Sequence, residues 1–196
     1  MLYNVMLFFH ILGTAVMFIA VGITLTGMIA MLHARNTETL RNWAQVAVKM
    51  DGLLPFSVIL ILLPGLYLAI SSWGWGAAWV NISLAVLIAM TIAGPIINLR
   101  RLKAILEAAN NEKSSTPSTY VLEKVRDTVL WKSVVIMTLL AVALLFLMTM
   151  KLDYIGSLVT LAIGVITGIF AANILLKNTS KAASMKHRST NSTQKA

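Results

Sequence analysis

The chain of 196 residues contains no cysteine. Disulfides, zinc–thiolate sites and thiol nucleophiles are therefore excluded. Charge is scarce too. Only 12% of residues are Asp, Glu, Lys or Arg, about half the share found in a soluble domain. Acidic residues are the scarcer sign, seven against sixteen basic ones. Also missing are a Walker loop, an HExxH pair, a GxSxG elbow and a Rossmann glycine pattern. Nucleotide and hydrolase chemistry of the soluble type therefore has no support, and no catalytic residue is nominated.

What is present is apolar: 58% of the chain is hydrophobic. A membrane span needs about 20 apolar residues. The uncharged runs draw five helices, over residues 3–32, 53–70, 78–99, 130–150 and 154–176. The fold class expected is an all-α integral membrane protein. The first run is longer than a span requires, so its helix tilts or projects. No basic segment precedes it, and it is too long for a cleaved signal peptide.

The charges orient the bundle. Drawn this way, fifteen of the sixteen Lys and Arg residues fall on one side and Lys151 falls alone on the other. Basic loops stay in the cytoplasm, which predicts an outer N-terminus and a cytoplasmic C-terminus. The net charge of +9 would otherwise suggest nucleic acid. Because these charges flank apolar runs, anionic lipid headgroups are the expected partner and nucleic acid is not.

The connections follow. Asn36 or Thr37 caps a short interfacial helix with Leu40, Trp43, Ala47 and Met50 at helical spacing. Asp51-Gly52 reads as a break, with Asp51 capping the next span. Pro64 sits inside that span and removes the hydrogen bond to the Leu60 carbonyl, so a kink is expected there. The outer turn, residues 71–79, carries three tryptophans and no charge, as an interfacial anchor does. Residues 100–129 read as a cytoplasmic helical hairpin, its return helix starting at Thr116-Pro117 and running on into the fourth span. Residues 178–196 read as a basic, disordered cytoplasmic tail.

Two faces carry small residues. In the first span His10, Gly13, Met17, Ala20, Thr24, Gly27 and Met31 recur at alternating spacings of three and four. In membranes small residues mark helix contacts, so His10 should point into the bundle. In the fifth span Gly156, Thr160, Gly164, Gly168 and Ala172 recur every four residues. That face packs within the bundle or joins a second copy or membrane partner, with Gly164, Gly168 and Ala172 at its centre.

His10 is the ionisable group read as lying well inside a span, and such a group is a functional candidate. It lies about seven residues past Tyr3, roughly 10 Å deep. Three readings follow. It is a neutral imidazole bonded to a neighbouring helix, with Ser83, Asn81 or Thr160 as partners. It is an axial ligand of haem or a porphyrin, with Met6, Met17 or Met148 opposite. Or it joins Met1, Met6, Met148 and Met150 around Cu(I), which favours thioethers. The cofactor-binding set is thus His10, Met17, Ser83 and Thr160, and the metal set His10, Met6 and Met148.

The stretches FFHILGTAVMFIAVGI (8–23), LLPGLYLAISSWGWGAAWVNISLAVL (62–87) and AGPIINLRRL (93–102) resemble a family of bacterial integral membrane proteins without assigned function. More distantly, the early histidine resembles that of HemJ-type protoporphyrinogen oxidases and CopD-type copper-resistance proteins. The resemblance implies a multi-pass protein of the bacterial plasma membrane and haem or porphyrin handling at His10. The HemJ-type pattern also has a lysine in the third span, where this chain reads AWVNISLAVLIAM, so porphyrin oxidation is not implied. The function expected is binding of haem or a porphyrin-like ligand in an outer-half cavity around His10. The alternatives are an accessory or assembly protein acting through helix contacts, or a small transporter component.

Overall fold

In the computed structural model the chain is described over residues 1–193, with side chains described through Lys177. Seven helices follow in order: α1 (Leu2–His33), α2 (Thr37–Ser72), α3 (Ala78–Gly94), α4 (Arg100–Asn111), α5 (Thr119–Val125), α6 (Thr128–Met150) and α7 (Tyr154–Thr193). A π-helical turn, Pro95–Leu99, joins α3 to α4. The expected disordered tail, 178–196, falls outside the described side chains.

Among the described residues five helical stretches are long and apolar enough to cross a membrane: Leu2–His33, Thr37–Ser72, Ala78–Asn111, Thr119–Met150 and Tyr154–Lys177. Their surfaces are apolar outward. Ile11, Ile19, Phe56, Leu63, Ile92, Ile163 and Phe170 are all exposed. Water would penalise such a surface, whereas lipid tails match it.

The spans form two tight antiparallel pairs, α1 with α2 and α6 with α7, and α3 bridges them. The α4–α5 hairpin closes one end of the bundle, called here the hairpin end. The turn carrying Trp73, Trp75 and Trp79 marks the opposite, tryptophan end.

Most of the buried core lies at the hairpin end. Met28, Met31, Leu40, Ala44, Leu102, Ile105, Val121, Leu130 and Trp131 pack together there. Polar contacts lock that end. Trp131 Nε1 donates to the Val125 carbonyl at 2.8 Å. The Arg41 guanidinium donates to the Ala109 carbonyl at 3.0 and 3.3 Å, closing the end of α4. Thr37 donates through its hydroxyl to Ser114 O at 2.8 Å and through its N–H to Ser115 O at 2.9 Å. The α4–α5 loop is thereby tied to the start of α2.

Three boundaries differ from the sequence reading. Asn36 does cap α2, accepting from Thr39 N–H at 2.7 Å, but α2 runs through Asp51-Gly52, Pro55 and Pro64 without a break. Asp51 does not cap a helix; its side chain turns inward and is buried. The return helix starts at Thr119, with Ser118 as its N-cap residue. It then stops at Val125, because Asp127 starts a new helix. Its carboxylate accepts from Val129 N–H at 2.9 Å and Leu130 N–H at 3.4 Å, satisfying two donors that a helix start leaves open.

Candidate functional site

His10 is half-buried between α1 and α2. Its Nδ1 stands 2.8 Å from the carbonyl oxygen of Ile61. A carbonyl only accepts, so Nδ1 carries the proton, and in the neutral ring Nε2 keeps the lone pair. The carbonyl bonded is Ile61, one residue beyond Leu60, whose partner Pro64 removes.

The other sequence candidates lie apart from one another in role. The Thr160 hydroxyl donates back to Gly156 O at 2.8 Å. Ser83 is 2% exposed and its Oγ has no protein partner. Met6 and Met148 are half-buried towards the tryptophan end. Met17 is buried and lines a cavity that includes neither His10, Ser83 nor Thr160.

The small-residue face of α7 is already occupied. A Cβ on Gly164 would meet Ala143 Cβ at 3.3 Å, and one on Gly168 would meet Ile136 Cα at 2.9 Å. Ala172 has no exposed surface. The stripe is the α6–α7 seam within one chain.

The cavity lies among α1, α2, α3 with its π turn, and α6, and has a volume of about 70 Å³. Met17, Val21, Leu54, Val58, Leu87 and Ala141 supply apolar wall. Its polar lining is Thr24, Asp51, Thr91, Asn98 and Thr138. Asp51 is 5% exposed and is the one charged side chain in the buried set of the described residues. Among the described residues no Lys, Arg or His lines the cavity. Among the described residues no hydrogen bond or ion pair reaches the Asp51 carboxylate.

The neutral groups are poised in a specific way. Most threonines in these helices donate back to a carbonyl one turn earlier: Thr14 to His10, Thr26 to Gly22, Thr91 to Leu87, Thr138 to Val134. This is the ordinary way to satisfy a hydroxyl in a helix. Thr24, 1% exposed, does not do so, and its Oγ1 has no protein partner. Asn98, 3% exposed, gives its amide N–H to Met137 Sδ at 3.3 Å, which leaves Oδ1 without a protein partner. Buried polar atoms left unpaired cost about 1–3 kcal/mol each, so two on one cavity wall with a carboxylate call for a functional account.

No family model, curated protein or solved structure matches this chain.

What the cavity can do follows from its donors. It offers oxygen from a carboxylate, an amide and three hydroxyls. Thr91 and Thr138 have spent their hydrogens on carbonyls at 2.7 Å, so they present lone pairs. Among the described residues no three His, Cys, Asp or Glu side chains converge. Size excludes haem from this cavity: about 70 Å³ is well below the roughly 300–1,000 Å³ of cofactor sites.

Sequence reasoning missed this site because Asp51 precedes glycine. That pair has the local look of a helix boundary, so the carboxylate reads as a cap. The first-span stripe contains both Met17 and Thr24, two residues of the cavity wall.

Proposed function

We propose that the protein is a small transporter component of the bacterial plasma membrane, with the hairpin end in the cytoplasm, and that the Asp51 cavity is its working site. The orientation is supported by the basic residues, which crowd the hairpin end and leave Lys151 alone at the tryptophan end. The observation that carries the function is the buried Asp51 carboxylate on the wall of a cavity that Thr24 and Asn98, each with a side-chain oxygen lacking a protein partner, also line. Ionisable groups inside membrane bundles mark solute and ion paths.

Depth supports the same reading. Asp51 lies about 20 residues from the tryptophan end of α2, as Thr24 does on α1 and Asn98, in the π turn, does from the start of α3. That is roughly 30 Å, the thickness of the hydrocarbon core. The polar lining thus sits at the inner edge of the bilayer, and apolar wall extends from it towards the middle. The hairpin core stands between the cavity and the cytoplasm.

Reconstitution into liposomes tests the proposal. Imposed proton, Na⁺ and K⁺ gradients should decay faster than in empty liposomes, followed by entrapped indicator dyes. Asp51→Asn should bring the decay back to the empty-liposome rate. Wild-type decay equal to that of empty liposomes for all three ions overturns the transport reading.

A second reading keeps His10 as an axial haem ligand. One observation favours it: Nδ1–H held by a backbone carbonyl fixes the tautomer with Nε2 free, the arrangement common to ligating histidines. Added haemin should then shift its Soret band, and His10→Ala should abolish the shift. An unshifted band removes this reading.

A further inference from the structure

The cavity's chemistry specifies its occupant more closely, on the reading that the cavity is the working site. We infer that it is a binding site for one monovalent metal cation, held by the Asp51 carboxylate, Thr24 Oγ1 and Asn98 Oδ1. Charge comes first. An ionised carboxylate buried without a partner is costly, and one bound unit of positive charge balances it. A divalent ion would leave one unit of positive charge unbalanced in a buried site, because among the described residues no second acidic side chain lines the cavity.

Donor type comes next. The wall carries the Met17, Met90 and Met137 thioethers, which soft metals select, but its buried polar atoms without a protein partner are oxygens beside a carboxylate, the ligands of hard cations. The Asn98 amide is turned so that Met137 Sδ takes its N–H at 3.3 Å. That sulfur is thereby engaged, and the amide oxygen is the atom left free.

Geometry adds a third argument. Asn98 sits in the π turn Pro95–Leu99, and π turns insert a residue that re-aims side chains. Pro95 has no N–H to give the Thr91 carbonyl four residues back, which gives the wider turn a local cause. Gly94, Pro95 and Asn98 all line the cavity. The volume of about 70 Å³ suits a partly dehydrated ion with a few waters, since water occupies about 30 Å³ in the liquid.

The full chain is purified in mild detergent with N-methyl-D-glucamine as the only added cation. NaCl, KCl or LiCl then replaces N-methyl-D-glucamine chloride at constant ionic strength while the unfolding temperature is followed. At least one of the three should raise it saturably by several degrees. Thr24→Val removes a donor without changing side-chain size and should raise the half-saturating concentration about tenfold or more. Asp51→Asn should abolish the effect. The inference is overturned if no alkali cation stabilises the wild type saturably, or if the stabilisation survives unchanged in Thr24→Val. The wild-type titration decides the matter even where Asp51→Asn does not fold. Saturable stabilisation without liposome flux keeps this site and removes the transport reading. Proton flux without alkali stabilisation does the reverse.

Discussion

His10 lies against the bare backbone of Gly65. A Cβ placed on that glycine would stand 2.8 Å from Nδ1 and 2.9 Å from Cε1. The same Nδ1 donates to Ile61 O at 2.8 Å, so the ring cannot retreat without losing its bond. Gly65→Ala should therefore cost about 1–3 kcal/mol, the usual range for overpacking. The same substitution in a His10→Ala background should cost little. Unfolding titrations in mixed detergent measure both, and equal costs in the two backgrounds would show that ring and glycine are not coupled.

The α6–α7 seam gives a second test. Gly168→Ala drives a methyl to within 2.9 Å of the Ile136 backbone, so it should destabilise by about 1–3 kcal/mol. Gly22→Ala is the comparison, because a Cβ there meets nothing within 4 Å. It should be neutral or slightly stabilising, since glycine is a poor helix former. If Gly168→Ala leaves the melting temperature unchanged but dissociates an oligomer, the stripe serves a second copy after all.

The spans were legible because a charge-free run of membrane length has few other readings. Asn36 was legible as a cap because its side chain acts on the backbone three residues ahead. Asp51 was misread for the same reason that Asn36 was read correctly. A short acidic residue before glycine satisfies the local rules for a helix start, and only the packing of α1, α3 and α6 around it shows where its carboxylate goes. Asp127 is the mirror case. The return helix from Thr116-Pro117 reads as running unbroken into the fourth span, yet a carboxylate bonded to two N–H groups ends one helix and starts another. The Asn98 oxygen had no sequence signal, because its freedom depends on Met137, 39 residues away.

At the tryptophan end, Lys151 holds its ammonium 4.1 Å from the centroid of Trp73. Lys151 also ends α6 with a left-handed backbone, φ 54°. The two effects separate by substitution. Lys151→Gly relieves the backbone and loses the cation–π contact, worth about 0.5–1 kcal/mol at an exposed site, so its net effect should be small. Trp73→Leu should cost more in the wild type than in the Lys151→Gly background, by the value of that contact. Identical costs would mean that the ammonium over the ring adds no stability.

Asp127 does two jobs that its substitutions can separate. It caps α6 through Val129 and Leu130, and it pairs with Arg101 on α4. The paired side chains are 40% and 25% exposed, so solvent screens the attraction, and such pairs are typically worth about 0–1 kcal/mol. A lost N-cap costs about 0.5–2 kcal/mol. Arg101→Gln removes the pair alone and should cost least. Asp127→Asn keeps a capping oxygen but no charge, and should match Arg101→Gln. Asp127→Ala loses both and should cost the most, with faster hydrogen exchange at Val129 and Leu130. High salt should weaken the wild type towards Arg101→Gln and leave Asp127→Ala unmoved. If Asp127→Asn proves as damaging as Asp127→Ala, the charge and not the cap holds this corner of the hairpin end together.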